Sequence, residues 1–599
     1  MHSEVEYAVF GALMCANLGF GLYFSCVRRA RKEATTDEMF LGNRSLRTLP
    51  LAGSVLASML SAIGVIGFSA HYYAYGFHYL WNFLSAPLIA VIVSKVVIPV
   101  LYQLKVTSVF EYLRMRYGNK IGLAACSIYF FISVTIGAVA LFTASVAVST
   151  IFNVSLFWST VGIGIASTIY TSLGGMRGVV WTDCVQSLLI LMAPVTVVTK
   201  VIYDSHHRDA SLRPASDFNI KDYIFDASLD FTKDENVWAC LIGLFIHSLF
   251  RSGMDQVVVQ RYLAARKLKE AQSITYIGIT LNSMYNFIMA GMAVALVYWY
   301  RDCDPLLSGA ITKLDQMLPY YVKENLSDFP GFSGLFLTGV VSAATSTVSS
   351  IINSQAAVFY VDVISQYMKF TTQQAASFTK KSALFFGCVL TACAVAVPYL
   401  GSAVRLILVL HSGGTAPFVG IFILGLAFPW ANAKGAAVGT LVAGGLQLWL
   451  MFGKIALDIH SPRMPVTLDY CPVNVSALVA NSSASGFDKA SSIERVSGFE
   501  VNSLLSFYRF SAYWSLIFTT ALTIIIGVTV SLLTGEKKTC AGNFHLTSKP
   551  ALMLWRKLNL LPKPEVKLPA EKGEEEDEKN ILCNEFKRQE SFNSNESNV

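Results

Sequence analysis

The sequence predicts an all-α polytopic membrane protein with about thirteen transmembrane helices. Of its 599 residues, 54% are hydrophobic and only 14% are charged, and the mean hydropathy is +0.50. A soluble protein carries about 25% charged residues, because its surface must face water. The lipid bilayer is therefore the predicted environment of most of the chain. The 46 basic and 39 acidic residues give a net charge of +7 without a dense basic tract, which disfavours a nucleic-acid partner.

The cysteines and the polar residues argue against a metalloprotein or an enzyme. The 11 cysteines are spread thinly without a CxxC pair, and most lie in apolar runs. No nucleophile–base pair, metal-ligand set or phosphate-binding loop occurs at membrane depth. We therefore expect no catalysis, no organic cofactor and no zinc or iron–sulfur site.

Apolar segments of about 20 residues, the length that crosses a bilayer core, recur along the chain. They lie at 7–27, 49–69, 80–100, 121–152, 155–173, 181–203, 237–250, 273–300, 331–361, 382–400, 403–428, 435–453 and 511–534. The segment 237–250 is too short to span a bilayer alone.

The charges around the first segment predict the orientation. Glu4 and Glu6 precede it, and a basic cluster at 28–32 follows it. Because basic flanks stay in the cytoplasm, the N-terminus is expected outside the cell. An odd number of spans then places the C-terminus in the cytoplasm.

The predicted outer loops carry two kinds of feature. Asn325, Asn474 and Asn481 each begin a glycosylation sequon there, which favours the secretory route and the plasma membrane. Cys303 and Cys471 also lie in outer loops. The sequence leaves open whether these two cysteines form a disulfide.

Two of the predicted spans look interrupted. The run Leu56–Ala70 mixes serines and glycines into an apolar span, and the short segment 237–250 is followed by Arg251–Arg261, with Gly253 at the apparent break. Since lipid cannot satisfy backbone groups, a helix unwinds at mid-membrane only where it is buried or lines a cavity. The two segments stand about five helices apart and run in opposite directions, which predicts an inverted repeat with a binding site at the breaks. The alternative is that small residues merely allow close helix packing.

A five-plus-five inverted-repeat core with two broken helices divides the chain into five parts. They are 1–48, an outer N-terminus with a peripheral helix and a basic cytoplasmic loop; 49–203, the first repeat; 236–428, the second repeat; 435–534, two peripheral helices with a glycosylated outer loop; and 535–599, a disordered cytoplasmic tail. The acidic run Glu571–Lys579 and the Ser/Asn-rich end are typical of disorder.

Hydroxyl groups are concentrated deep in one span. Serine or threonine occupies six of the twelve positions of Ser342–Asn353, and Ser342, Ser346, Ser349 and Asn353 share a helical face. A hard cation such as Na⁺ prefers several oxygen ligands, which these hydroxyls and the freed carbonyls of an unwound helix would supply. The alternative is that the hydroxyls bond back to their own helix.

One carboxyl group lies at the edge of a span. Asp183 follows a tight turn at Gly174 and Gly175, at the inner start of the 181–203 segment. Such a residue either caps its helix or lies on the exit path of a cation, and the sequence favours neither interpretation.

Three stretches resemble the sodium/solute symporter family: Gly174–Gln186, Asp255–Leu263 and Ala344–Asp362. The resemblance implies sodium-coupled alternating access. Carried over by position, it implies a sodium site formed by the carbonyls of Ala57, Leu60 and Ala343 and the hydroxyls of Ser346 and Thr347. It also implies that Asp183 matches the family's acidic residue near the inner sodium path.

The architecture is similar to the branch of that family that carries iodide, monocarboxylates and water-soluble vitamins. Like that branch, the chain has a long outer loop with sequons before its last span and an inner tail. Sugar symporters place a Glu/Gln pair where this chain has Ile63 and Gly64, so a sugar substrate is in doubt. Arg251 stands where aromatic residues are usual in the family.

The sequence-based hypothesis is a Na⁺-coupled symporter that imports a small organic anion, such as a monocarboxylate, across the plasma membrane. The alternatives are iodide, a vitamin or another solute, or a sodium-gated channel or sensor on the same fold. Candidate substrate residues are Gly64, Val65, His411 and Thr415, with a packed structural role as the alternative for His411. The oligomeric state stays open.

Overall fold

The computed structural model describes residues 2–30, 36–207, 220–400, 403–457, 462–469, 471, 508–535 and 543–561. These residues form helices, together with one isolated β-bridge between Leu46 and Ala265. The all-α prediction is confirmed.

The α-helices of the described residues are numbered in chain order. The first ten are α1 (His2–Ala30), α2 (Thr36–Leu41), α3 (Thr48–Met59), α4 (Ala62–Tyr75), α5 (Ala86–Ile92), α6 (Ile98–Gln103), α7 (Val109–Tyr117), α8 (Asn119–Phe152), α9 (Leu156–Leu189) and α10 (Met192–His207). The others are α11 (Phe245–Gly253), α12 (Gln256–Leu263), α13 (Leu268–Tyr300), α14 (Met317–Asn325), α15 (Phe332–Val358), α16 (Thr372–Ala396), α17 (Ala403–Ala427), α18 (Ala433–Ala456), α19 (Ala512–Thr534) and α20 (Lys549–Lys557).

Nine helical stretches of the described residues are long and apolar enough to cross a membrane, and the bent pair α3–α4 makes a tenth candidate. One stretch, Leu156–His207, is 52 residues long and contains two predicted spans. Inside it Gly175 has φ 58°, a left-handed conformation that a residue with a Cβ rarely adopts, so the chain turns there. The two shorter apolar helices, Ala239–Gly253 and Gly413–Ala427, coincide with further predicted spans. The count of thirteen stays a prediction.

Both predicted breaks are present. Between α3 and α4 the chain bends by 53°, and the Ser61 side chain caps α4 by accepting a hydrogen bond from the Gly64 N–H at 3.1 Å. The second break follows α11, where the carboxylate of Asp255 caps α12 by accepting from the Val257 N–H at 3.0 Å. The two interrupted helices of the predicted core are therefore confirmed, with the second break just after Gly253.

Helix α15 is the buried centre of the bundle and packs against α1, α8, α9 and α10. In its most apolar window 94% of the residues are buried. Its N-terminus is capped by Glu6 of α1, whose carboxylate accepts from the N–H groups of Gly331 at 2.7 Å and Gly334 at 2.5 Å. A carboxylate at this end also complements the helix dipole.

Helices α9 and α16 meet through reciprocal glycine–threonine contacts. Thr168 of α9 faces Gly387, and Thr391 of α16 faces Gly164. Each threonine hydroxyl donates to the carbonyl of the glycine on its own helix at 2.8 Å, which fixes the side chain against the partner helix. Small residues at such positions allow close helix packing in membranes.

This packing predicts that Gly164→Ala lowers the thermal unfolding midpoint of the detergent-purified protein. The new Cβ would lie 2.7 Å from Thr391 Cγ2, and overpacking of this kind costs about 1–3 kcal/mol. Gly162→Ala is the control on the same helix, because nothing lies within 4 Å of a Cβ there. Equal midpoints for the two variants would show that the contact is loose.

The segment of residues 462–469 is fastened to the end of α4. Cys303 and Cys471 form a disulfide, which settles the pairing that the sequence left open. The Met464 N–H donates to the Ala74 carbonyl at 2.7 Å. Buried Asp304 accepts from the Tyr73 hydroxyl at 2.7 Å and pairs with Arg463 at 3.7 Å. The Met464–Ala74 hydrogen bond and the contacts of Tyr73 and Arg463 with Asp304 thus hold the last turn of α4.

The prediction of a disordered tail from residue 535 is wrong for residues 543–561, which contain α20 and a 3₁₀ turn at Phe544–Leu546. The Asn543 side chain donates to the Pro429 carbonyl at 3.1 Å, and the Ser548 N–H donates to the Leu426 carbonyl at 2.9 Å. These bonds pair backbone groups at the end of α17, a tertiary effect that composition does not reveal. Residues Ala551–Val599 form a separate unit, and its run at 571–579 lies outside the described residues.

The three predicted glycosylation sites differ in what the structure shows. Asn325 is buried, and its Nδ2 donates to the Tyr321 carbonyl at 3.1 Å. A glycan on that atom would require the end of α14 to open, so the structure argues against this site. Asn474 and Asn481 lie outside the described residues.

We therefore expect Asn474→Gln combined with Asn481→Gln to abolish the glycosidase-induced mobility shift of the protein expressed in animal cells. Asn325→Gln is expected to leave the shift unchanged. A smaller shift in Asn325→Gln would mean that the end of α14 is open when the glycan is added.

Candidate ion and solute site

The break after α3 exposes the carbonyls of its last turn, which have no partner within the helix. Hydroxyl groups of α15 approach two of them. Ser346 Oγ donates to the Ala57 carbonyl and Thr347 Oγ1 donates to the Leu60 carbonyl, both at 3.0 Å. The unwound segment and the hydroxyl-rich helix therefore meet directly.

The same two hydroxyls also contact their own helix. Ser346 and Thr347 lie 3.0 and 2.9 Å from the Ala343 carbonyl. All five residues of this group, which we call the oxygen cluster (Ala57, Leu60, Ala343, Ser346 and Thr347), are buried. The structure thus brings together every atom that the family resemblance implied for sodium. Back-bonding to the helix, the alternative interpretation, is present as well.

The two carbonyls between Ala57 and Leu60 have a different partner. Arg251 of α11 donates from Nη2 to the Ser58 carbonyl at 3.1 Å and to the Met59 carbonyl at 3.4 Å. Its Nη1 donates to Asp255 Oδ2. The guanidinium group therefore links the two broken helices at their breaks.

A cavity of about 630 Å³ runs along both breaks. Its lining includes Leu60 and Thr347 of the oxygen cluster, as well as Arg251 and Asp255. Asp315, in the loop between α13 and α14, also lines it. Burial raises the pKa of Asp315, and the nearby charge of Lys313 opposes that rise. The cavity therefore connects the oxygen cluster with that loop.

The predicted substrate residues are not grouped around this cavity. Gly64 lines it, as expected. Val65 and Thr415 are buried and lie outside its described lining, because the helical turn directs Val65 into the core and α17 packs against other helices. The structure therefore does not place these two candidates at the cavity, and their role in substrate binding stays a prediction. The side chain of His411 lies outside the described residues.

Asp183 lies in a buried ion pair rather than at a solvent-facing helix end. Its Oδ2 is 3.1 Å from Arg261 Nη2 and accepts from the Ser54 hydroxyl at 2.6 Å. Both charged side chains are fully buried. Asp183 is not a member of the oxygen cluster, and its Oδ1 has no hydrogen-bond partner among the described residues.

Arg261 extends this network to the hydroxyl-rich helix. Its Nη2 donates to Ser350 Oγ at 2.5 Å, and its Nε donates to Ser54 Oγ at 3.1 Å. The Ser58 hydroxyl, next to the oxygen cluster, donates to the Ser54 carbonyl at 2.6 Å. The sequence pattern did not single out Arg261 as a partner of Asp183, although two ionisable residues at membrane depth are a signal for an ion pair.

We expect Asp183→Asn to destabilise the protein by about 3–5 kcal/mol, because it leaves the charge of Arg261 buried and uncompensated. The loss is measured as a fall in the thermal unfolding midpoint of the purified protein. The double variant Asp183→Asn with Arg261→Gln should lose less than the sum of the single variants. Asp226→Asn, which breaks an exposed pair with Lys233, is the control and should cost less than about 1 kcal/mol. Additive losses would contradict the buried pair.

Among the described residues no group of three His, Cys, Asp or Glu side chains could hold a metal ion. The oxygen cluster itself consists of neutral carbonyl and hydroxyl oxygens. Such a set suits a monovalent hard cation.

Comparison with known families assigns the chain. The model of the sodium:solute symporter family matches residues 39–443, which is more than half of the sequence. The chain belongs to the sodium:solute symporter family. It is thus a multi-pass membrane transport protein of a sodium-coupled family, and the predicted resemblance is confirmed.

Two relatives match this chain over most of its length. The human sodium-coupled monocarboxylate transporter 2 is 29% identical over 541 residues, which are 89% of this chain and 84% of that protein. The human sodium/iodide cotransporter is 29% identical over 588 residues, which are 94% of this chain and 88% of that protein. Both belong to the branch that the architecture indicated.

A solved structure shares the fold of this chain. It is a Na⁺-coupled sialic acid symporter in a substrate-bound, outward-open state, with a TM-score of 0.70 and 21% identity. The match covers 89% of this chain and 99% of that one. The helical core is therefore that of a known sodium symporter.

Proposed function

We propose that this protein is a Na⁺-coupled symporter that imports a small organic anion across the plasma membrane by alternating access. One observation carries the proposal: Leu60 and Thr347 belong both to the oxygen cluster and to the wall of the 630 Å³ cavity. An ion held by the cluster would lie beside a solute held in the cavity. That adjacency is what coupling of two bound species requires.

The oxygen cluster supplies the ion site of this proposal. Its five oxygens include three backbone carbonyls, and each hydroxyl lies about 3 Å from the carbonyls that it contacts. When Na⁺ binds, the hydroxyl protons turn away and the oxygen lone pairs face the ion. Because no fixed charge is present in the cluster, the ion remains bound weakly enough to be released.

Two of the five oxygens come from the end of α3 and the residue that follows it, and three come from α15. A small movement between these helices would therefore open the site, which is the geometry that alternating access needs. Asp183 is linked to the neighbourhood of the cluster through Ser54, whose hydroxyl donates to the Asp183 carboxylate and whose carbonyl accepts from the Ser58 hydroxyl. We assign it to the inner sodium path.

Two observations support the proposal that the solute is an anion: the names of the relatives and the residues of the cavity wall. The two relatives named above are transporters of monocarboxylate and iodide, both anions. In this chain Ile63 and Gly64 line the cavity wall and offer no side-chain partners for a sugar's hydroxyls. Inward movement of a monoanion against 100 mV costs about 2.3 kcal/mol, which is what the inward movement of one Na⁺ gains, so a single Na⁺ would drive uptake through its concentration gradient and a second Na⁺ would add the voltage. Iodide is the second candidate, favoured by the similarity to the iodide cotransporter.

The test is uptake of labelled lactate, nicotinate, biotin, iodide, glucose and choline into expressing cells, with Na⁺ or with N-methylglucamine. The wild type is expected to accumulate an anion only with Na⁺. Ser346→Ala and Thr347→Val should each raise the half-saturating Na⁺ concentration about tenfold or abolish uptake, because each removes an ion ligand.

Thr338→Val is the matched control on the same helix. Its hydroxyl donates to the Gly334 carbonyl at 2.8 Å, outside the oxygen cluster, so its Na⁺ dependence should equal that of the wild type. A sodium current without uphill accumulation of any solute would instead favour a channel or sensor. Unchanged Na⁺ dependence in both cluster variants would remove the ion from this site.

A further inference from the structure

We infer that Arg251 binds the negatively charged group of the transported solute. This inference rests on the proposed function and deepens it by naming the side chain that recognises an anion. Among the described residues that line the cavity, Arg251 is the one arginine or lysine. Its side chain is 29% exposed, although it lies at the breaks of both interrupted helices.

The guanidinium group is held in place before any solute arrives. Asp255 Oδ1 caps α12 through the Val257 N–H at 3.0 Å, while its Oδ2 accepts from Arg251 Nη1. The Ser58 and Met59 carbonyls accept from Nη2. A side chain fixed in this way loses little conformational entropy when it binds a ligand.

Arg251 also keeps hydrogen-bonding capacity for a ligand. A guanidinium group has five N–H donors, and the contacts above are three hydrogen bonds to protein acceptors. A carboxylate matches the planar donor geometry of arginine better than that of lysine. The cavity therefore offers a planar, cationic group suited to a carboxylate.

The position of Arg251 also accounts for coupling. Its guanidinium group is hydrogen-bonded to the carbonyls of Ser58 and Met59. Along the chain these two carbonyls stand between the carbonyls of Ala57 and Leu60, which belong to the oxygen cluster. A positive charge there opposes the binding of Na⁺ to the neighbouring oxygens. An anion on Arg251 would offset that repulsion, so anion and Na⁺ would each strengthen the binding of the other.

The cavity wall also contains carboxylates, which would favour a cationic solute over an anionic one. Asp255 is already paired with Arg251, and Asp315 lies in the loop between α13 and α14. If these carboxylates rather than Arg251 determined selectivity, the cavity would accept a cation such as choline. The experiment separates these cases.

The test compares each acid with its neutral amide of the same shape: lactate with lactamide, and nicotinate with nicotinamide. Each unlabelled compound competes with Na⁺-dependent uptake of the labelled acid, normalised to protein at the cell surface. The wild type should prefer the acid by about tenfold or more, since an arginine–carboxylate pair is a charge-assisted interaction. In Arg251→Gln the preference should fall to within about threefold, with a raised KM for the acid.

Arg251→Lys keeps the positive charge, and it tests the inference if Arg251→Gln does not reach the cell surface. We expect it to raise the KM for the acid several-fold while retaining preference over the amide, because a lysine ammonium keeps the charge but does not reproduce the planar donor geometry of the guanidinium group. Arg266→Gln is the control, since the exposed Arg266 side chain donates to the Ser45 carbonyl away from the cavity.

The outcomes separate the inference from the proposed function. Sodium-dependent acid uptake with an unchanged KM and acid preference in the Arg251 variants would overturn the inference and leave symport intact. Sodium-dependent uptake of choline or glucose alone would likewise overturn it while leaving sodium coupling. If the wild type accumulates nothing on the panel, the proposed function fails, and the inference fails with it.

Discussion

The end of α3 leaves four consecutive carbonyls without helical partners, and the centre of the molecule is organised around them. The first and last, at Ala57 and Leu60, accept from the hydroxyls of α15. The middle two, at Ser58 and Met59, accept from Arg251. In a bilayer core unpaired carbonyls are costly, so the break can exist only where such partners are supplied. The same constraint places neutral oxygens and a cationic side chain on adjacent backbone groups.

The surrounding charges hold that arrangement together. Arg261 is paired with Asp183 and extends to Ser350 of α15, so α3, α9, α12 and α15 share one buried polar network. A buried pair of this kind contributes little net stability but penalises any arrangement that separates it. It therefore fixes the register of the helices around the oxygen cluster. Near the other end of the broken helix, the contacts of Tyr73 and Arg463 with Asp304 hold the last turn of α4.

Much of the architecture could be predicted from the sequence because membrane helices obey local rules. Apolar segments located the helices, and serines and glycines within them located both breaks. The five residues of the oxygen cluster came from the family resemblance, and the structure joins their atoms. The structure does not bring the predicted substrate residues together around the cavity. Of the described candidates Gly64, Val65 and Thr415, only Gly64 lies in the cavity wall, because the direction of a side chain around a helix depends on how that helix is rotated against its neighbours.

The sequence by itself determined the membrane-embedded helical class, the two interruptions and the family, since each depends on composition or on short motifs. Only the tertiary structure decided the partners of the charged residues. Arg251 and Asp255 are close in sequence, but the Ser58 carbonyl is 193 residues from Arg251, and Asp183 is 78 residues from Arg261. Likewise the anchoring of residues 543–548 depends on carbonyls at the end of α17. Hydrogen bonds and ion pairs between distant segments form only after the helices pack, and a local pattern carries no record of them.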